Sequence, residues 1–256
     1  MSTIKERYES VRSRMASAAE RSGHNPDKLH LVAVTKYASM EQVRELIELG
    51  HRDFGESRQQ HFTQLAAQVD EYIDRRRELG EPNLEGPIRW HFIGHLQRNK
   101  ARRVIPLARL IHSLDSLRLA EEMQPMAAKR DQVVEVLIQV NVSGERRKYG
   151  VAPPAVTHLL DQMDTMINIE PRGIMYMAPL CEDQEESRSL FNRCRELFDD
   201  VCKSGAGGER FNILSMGMSN DFEVAIECGA NIVRVGTAIF GDAAESDSTA
   251  DEKAAC

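Results

Sequence analysis

Leu31-Val32-Ala33-Val34-Thr35-Lys36 is a short apolar run that ends on a cation, and it is the first of eight such runs. From Leu29 onward they fall at 30–36, about 52–55, 89–94, 110–114, 133–142, 169–177, 211–217 and 231–235. Longer helix-like segments separate them, at 40–49, 57–78, 97–107, 116–129, 154–165, 184–203 and 219–228. Upstream, Ile4, Tyr8, Val11, Met15 and Ala18 recur at steps of four, three, four and three, which predicts an amphipathic helix ahead of the first strand. Strands that alternate with helices make parallel βαβ units. Closing eight parallel strands on themselves removes both sheet edges, and 256 residues is the size such a closed barrel needs. The expected fold class is therefore α/β, a single (β/α)8 TIM barrel with an extra N-terminal helix. An open doubly wound sheet is the competitor, but no Gly-x-Gly-x-x-Gly turn follows the first strand.

Composition narrows the setting. Hydrophobic residues make up 41% of the chain, enough for one substantial core, and no apolar stretch approaches a membrane span. The opening Met1-Ser2-Thr3-Ile4-Lys5-Glu6-Arg7-Tyr8 lacks the apolar centre of a signal peptide. The five cysteines (Cys181, Cys194, Cys202, Cys228 and Cys256) are odd in number and lack metal-ligand spacing. A reduced, cytoplasmic protein is expected. Residues 242–256 hold five acids against Lys253, so −4 of the net charge of −7 belongs to this end. The chain is read as a barrel over 1–241 and an acidic disordered tail over 242–256. A body carrying only −3 gives no support for nucleic-acid binding. The breaker-rich stretch 79–88 reads as an exposed loop.

In such a barrel the functional face is the C-terminal end of the strands, and phosphate sites commonly use the loops after strands seven and eight. Lys36, Gly55-Glu56, Gly94, Asp115, Asn141, Met177, Gly217 and Gly236-Thr237 end or follow the eight runs in turn. A lysine at a strand end is usually a solvated cap. At an apolar barrel mouth, desolvation would free its amine to condense with an aldehyde. Ser219, before Asn220-Asp221, reads as a helix N-cap; the same free N–H groups and dipole would also favour a phosphate. Gly236 lets backbone approach an anion, and Thr237 adds a hydroxyl. An amine and a phosphate cup together suit an aldehyde that carries a phosphate, and pyridoxal phosphate is such a molecule. Arg234, between Val233 and Val235, reads either as half of a structural ion pair or as a donor to the pyridine nitrogen of that molecule. His91 and His95 can share one strand face, yet no third metal ligand accompanies them, so no metal is expected.

Seven ordered motifs now make the sequence recognisable. They are Ala33-Val34-Thr35-Lys36, Phe54-Gly55-Glu56, Trp90-His91-Phe92-Ile93-Gly94 with Leu96-Gln97-x-Asn99-Lys100, and Val136-Leu137-Ile138-Gln139-Val140-Asn141. Arg172-Gly173-Ile174-Met175, Leu214-Ser215-Met216-Gly217-Met218-Ser219-x-Asp221 and Val233-Arg234-Val235-Gly236-Thr237-Ala238-Ile239-Phe240-Gly241 complete the set. Over about residues 4–241 the chain closely resembles the pyridoxal phosphate homeostasis protein family. The resemblance implies a barrel similar to the N-terminal domain of alanine racemase and a Schiff base on Lys36. It implies phosphate held around Ser219, Gly236 and Thr237, and Arg234 near the pyridine nitrogen. Ser57 and His91 are counted with these cofactor-binding residues, and Lys148 matches a family lysine near the mouth. The implied role is to carry or buffer pyridoxal phosphate inside the cell, with apo pyridoxal phosphate enzymes as candidate recipients, no nucleic acid or membrane partner, and no established turnover. Ser57 stands in place of a usual Asn, His95 in place of Pro, and Tyr37 in place of a common Thr. An amino-acid racemase is the alternative; it needs a second base, which alanine racemase takes from a tyrosine of a further domain not expected here. A Schiff-base aldolase would use the same lysine and phosphate cup without holding a cofactor.

Overall fold

The computed structural model describes residues 2–81, 84–145, 148–179 and 183–241. The acidic segment 242–256, together with Cys181 and Cys256, lies outside the described residues. Eight parallel strands close into a barrel in sequence order. They are β1 (His30–Val34), β2 (Asp53–Glu56), β3 (Arg89–Phe92), β4 (Ala108–Leu114), β5 (Val134–Val140), β6 (Ile169–Tyr176), β7 (Ile213–Ser215) and β8 (Ile232–Val235). Closure is made by β1 against β8, with His30 opposite Ile232 and Ala33 opposite Val235. The fold is the expected (β/α)8 barrel, and each strand overlaps its apolar run, with β2 ending one residue beyond its run and β4 starting two residues before its own.

Helix α1 (Ile4–Ser22) precedes the barrel, and α2 (Met40–Glu48), α3 (Gln59–Glu78), α4 (Arg98–Val104), α5 (Leu117–Ala128), α6 (Val156–Met163) and α7 (Arg188–Ser204) follow the first six strands. After β7 comes α8 (Phe222–Glu227), and after β8 a single turn, α9 (Thr237–Phe240). The stripe Ile4, Tyr8, Val11, Met15 and Ala18 is buried as its period requires. Thr3 and Glu6 form a reciprocal capping box that starts α1, and Gly23 ends it at φ 72°. Because α8 and α9 are short, α1 completes the outer layer beside them. Arg7 Nε donates to the Ile239 carbonyl at 2.7 Å, and Arg14 pairs with Glu223 at 2.6 Å.

Two differences from the sequence reading concern the site. The seventh run, expected over 211–217, is a strand only over Ile213–Ser215, and the helix expected from 219 starts at Phe222. Gly217 causes both. It turns the chain at φ 89°, and a Cβ there would lie 2.6 Å from the Ala225 Cβ and 2.8 Å from the Phe222 Cα. Gly217→Ala is expected to destabilise the fold by about 2–4 kcal/mol, combining left-handed backbone strain with overpacking. A denaturant midpoint equal to that of the parent would refute this account of the turn.

The core has two parts. Outside the strands, Phe54, Phe62, Trp90 and Phe92 pack as an aromatic series, with Phe62 edge-on to Phe92 at 5.5 Å between centroids. Inside the barrel, Val32, Leu110, Leu137, Met175 and Ile232 fill the lumen against Ile213. Burial on both faces explains why β5 reads as an almost unbroken apolar run.

Candidate functional site

A cavity of about 680 Å³ opens at the C-terminal ends of the strands. Its wall holds Lys36, Ser219, Arg234, Gly236 and Thr237, with Val34, Ile93 and Met177 supplying apolar surface. Five of the seven sequence-predicted residues are thus brought onto one wall.

Lys36 lies two residues beyond β1. The Thr35 N–H donates to the Gly55 carbonyl at 2.9 Å, and its hydroxyl reaches the same carbonyl and the Glu56 carboxylate. The backbone that presents the amine is therefore fixed by buried groups. The amine itself is exposed, 4.6 Å from the centroid of the Tyr37 ring. This corrects the expectation of a desolvated lysine: the residue is exposed at the mouth. The hydrogen bond and charge of Lys36 hold the Tyr37 phenol below its ordinary range.

Ser219 is not the cap of the helix that follows it. Asp221 takes that position, and its carboxylate accepts the Met218 N–H at 2.6 Å. Ser219 Oγ instead reaches across to the next loop and accepts from Gly236 N at 3.1 Å and Ala238 N at 3.4 Å. It therefore caps the first turn of α9, binding the loops after β7 and β8 into one unit. Gly236 has little room for a side chain, since a Cβ would meet the Val34 carbonyl at 3.3 Å. The result is a concave cluster of backbone N–H groups and two hydroxyls, the donor chemistry that holds a phosphate.

Arg234 is buried, and among the described residues no carboxylate forms an ion pair with it. Its guanidinium donates to Ser215 Oγ at 2.6 Å and to the Tyr176 carbonyl at 2.9 Å. The structural ion pair weighed from sequence is absent from these contacts. Burial lowers its pKa to about 10, so the group stays charged near neutrality.

Ser57 and His91 are not on the cavity wall. The Ser57 N–H donates to the Glu56 carboxylate at 2.6 Å, and its backbone lies so close to Gly94 that a Cβ there would sit 2.0 Å from the Ser57 carbonyl oxygen. His91 points into the lumen, between Asp53 and His112. His95 stands apart from His91: it stacks on Tyr149 at 3.7 Å between centroids and bonds Asp115 at 3.0 Å. This contact spans the mouth from the loop after β3 to the loop after β5. Lys148, in that second loop, pairs with Glu145 at 2.8 Å. Among the described residues no three His, Cys, Asp or Glu side chains gather as a metal site.

Sequence reasoning placed Glu56 at the end of the second run but gave it no role. Fully buried, it accepts from Ser57 N, Arg58 N and the Thr35 hydroxyl and meets His61 Nδ1 at 2.5 Å. It ties the ends of β1 and β2 to the start of α3, which lacks a side-chain cap of its own. An acid directly at the end of an apolar run was the available signal.

The sequence profile of the family described as alanine racemase, N-terminal domain, matches residues 7–244. The chain belongs to that family. A pyridoxal phosphate homeostasis protein of Aquifex aeolicus is 38% identical over 241 residues, covering 93% of this chain and 97% of the relative. Among solved structures, an unknown protein from Bifidobacterium adolescentis is 36% identical with a TM-score of 0.82, covering 93% of this chain and 94% of that one. PipY of Synechococcus elongatus PCC7942, solved with PLP bound, is 30% identical with a TM-score of 0.77 and is covered in full by 93% of this chain.

Proposed function

We propose that this chain binds pyridoxal phosphate at the barrel mouth and carries or buffers it, with Lys36 as the covalent anchor. The observation that carries the reading is the convergence, on one cavity wall, of a primary amine, a guanidinium without an ion-pair partner and a phosphate-type donor cup. The naming of its relatives as pyridoxal phosphate homeostasis proteins, and the PLP found in PipY, support it. When bound, the cofactor supplies an aldehyde that a primary amine can attack, and a conjugated ring.

Each residue has a distinct task. Ser219, Gly236 and Thr237 would hold the phosphate through hydroxyl and N–H donors, and Lys36 would hold the aldehyde end. Arg234 offers donors only. Facing a ring nitrogen, it would occupy the lone pair and keep that nitrogen unprotonated, which weakens the ring as an electron sink. Carriage is thereby favoured over proton abstraction from a bound amino acid. Apo pyridoxal phosphate enzymes are the recipients such a carrier would serve. A reducing cytoplasm suits the free thiols of Cys194, Cys202 and Cys228. No helix among the described residues is long and apolar enough to cross a membrane.

Titration with pyridoxal phosphate should produce a visible absorption band at one equivalent; a protein that stays colourless contradicts the assignment. Deuterium exchange at Cα of alanine in heavy water separates carrier from racemase. The expected rate is near background, whereas several turnovers per second from a racemase-free preparation would establish the enzyme.

A further inference from the structure

The barrel lumen holds a connected line of polar side chains that the pocket does not explain. Asp53, at the N-terminal end of β2, receives Arg89 Nε at 2.7 Å and Nη2 at 2.5 Å. Its Oδ1 also meets His91 Nε2 at 3.1 Å. His91 Nδ1 lies 2.9 Å from His112 Nε2, and His112 Nδ1 lies 3.1 Å from Ser215 Oγ, which accepts from Arg234. His112 and Ser215 are fully buried and His91 nearly so. The interior of such a barrel is ordinarily branched apolar side chains, and each buried polar group there needs a partner.

With both imidazoles neutral, the donors and acceptors match in one direction only. A guanidinium can only donate, so Ser215 Oγ accepts from Arg234 and gives its hydrogen to His112 Nδ1. His112 then donates from Nε2 to His91 Nδ1, and His91 donates from Nε2 to the Asp53 carboxylate. The opposite polarity would leave the Ser215 hydroxyl hydrogen without an acceptor among the described bonds. The charges agree. Burial, with the charge of Arg234 in support, holds His112 well below the ordinary imidazole range. Burial pushes Asp53 up, but the bonds from Arg89 and His91 outweigh it and keep the carboxyl ionised.

We propose that Asp53, His91, His112 and Ser215 form a one-way hydrogen-bond relay through the barrel core that positions the Arg234 guanidinium at the cofactor pocket. The line does not conduct protons, because its last member has no site to accept one. It fixes the Ser215 oxygen as an acceptor, and with the Tyr176 carbonyl this sets the plane and position of the guanidinium. His91, counted from sequence with the cofactor-binding residues, acts from beneath the pocket as a positioning residue. The proposal rests on the pyridoxal phosphate reading of that pocket.

The first measurement needs no cofactor. Imidazole 15N–1H correlation spectra of the ligand-free protein at pH 7, assigned with His91→Gln and His112→Phe, should show both rings as Nε2–H tautomers. An Nδ1–H tautomer at His112 overturns the relay. The second compares pyridoxal phosphate with inorganic phosphate as probes. Ser215→Ala should weaken pyridoxal phosphate at least tenfold and leave phosphate binding within twofold, and Ser215→Thr should restore most of the loss. Asp53→Asn, at the far end of the barrel, should shift the same balance several-fold. Equal loss for both probes, or loss for neither, refutes a positioning role. If the parent bound no pyridoxal phosphate, the pocket reading would fall and the role proposed for the relay with it; the tautomers, read without ligand, tell the two failures apart.

Discussion

Lys36→Ala is expected to abolish the visible band formed with pyridoxal phosphate and the adduct that borohydride fixes on the parent chain. No other amine lines the cavity among the described residues, so the effect is a loss of the covalent link and not a change in its strength. The same exposure that corrected the desolvation argument makes the variant a clean test. Truncating an exposed side chain that caps nothing costs within about 0.5 kcal/mol. Thermal midpoints of variant and parent without ligand should therefore coincide. Peptide mapping after borohydride locates the adduct, and modification elsewhere, or an unchanged band in the variant, would falsify the role given to Lys36.

The second large effect is at the phosphate end. Ser219→Ala with Thr237→Val removes two hydroxyls and leaves the backbone donors of Gly236 and Ala238 in place. Hydrogen bonds to a charged group contribute about 1.5–3 kcal/mol each, and about 1.4 kcal/mol corresponds to a factor of ten. Affinity for pyridoxal phosphate should fall at least tenfold, and competition by inorganic phosphate should weaken with it. In the free protein the double variant loses the link from Ser219 to Gly236 and Ala238, a neutral contact with a net value of about 0.5–1.5 kcal/mol. The stability change should thus be small beside the change in binding. Undiminished affinity would mean that the phosphate is held elsewhere on the barrel.

Much of this molecule is legible in its sequence, for a local reason. A strand buried on both faces must be apolar along its length, and a helix must repeat its apolar face every three to four residues. Eight runs and the intervening periods therefore predicted the strand order, and the stripe from Ile4 to Ala18 predicted α1. Lys36, Ser219, Gly236 and Thr237 could be assigned to the mouth because parallel strands all end on the same side. Boundaries around β7 were harder to read, because Gly217 turns the chain within a pattern that would otherwise continue as strand.

What the sequence determined by itself was the barrel and the chemistry gathered at its mouth, since both follow from periodicity and from the direction of the strands. Tertiary structure alone decided the partners. Ser219 caps α9 across a chain separation of seventeen residues, Glu56 ties the ends of β1 and β2 to the start of α3, and the side chains of β2, β3, β4, β7 and β8 meet in the lumen as one line of hydrogen bonds. Lys36 proved exposed although its strand is buried. For the Ser219 cap, the Glu56 contact with Thr35 and the lumen line, the deciding quantity is a distance or an angle between segments far apart in the chain. Hydrogen bonding falls away within a few tenths of an ångström and with misalignment, so a polar residue in an apolar run signals only that a partner is needed, and the closed barrel selects which one.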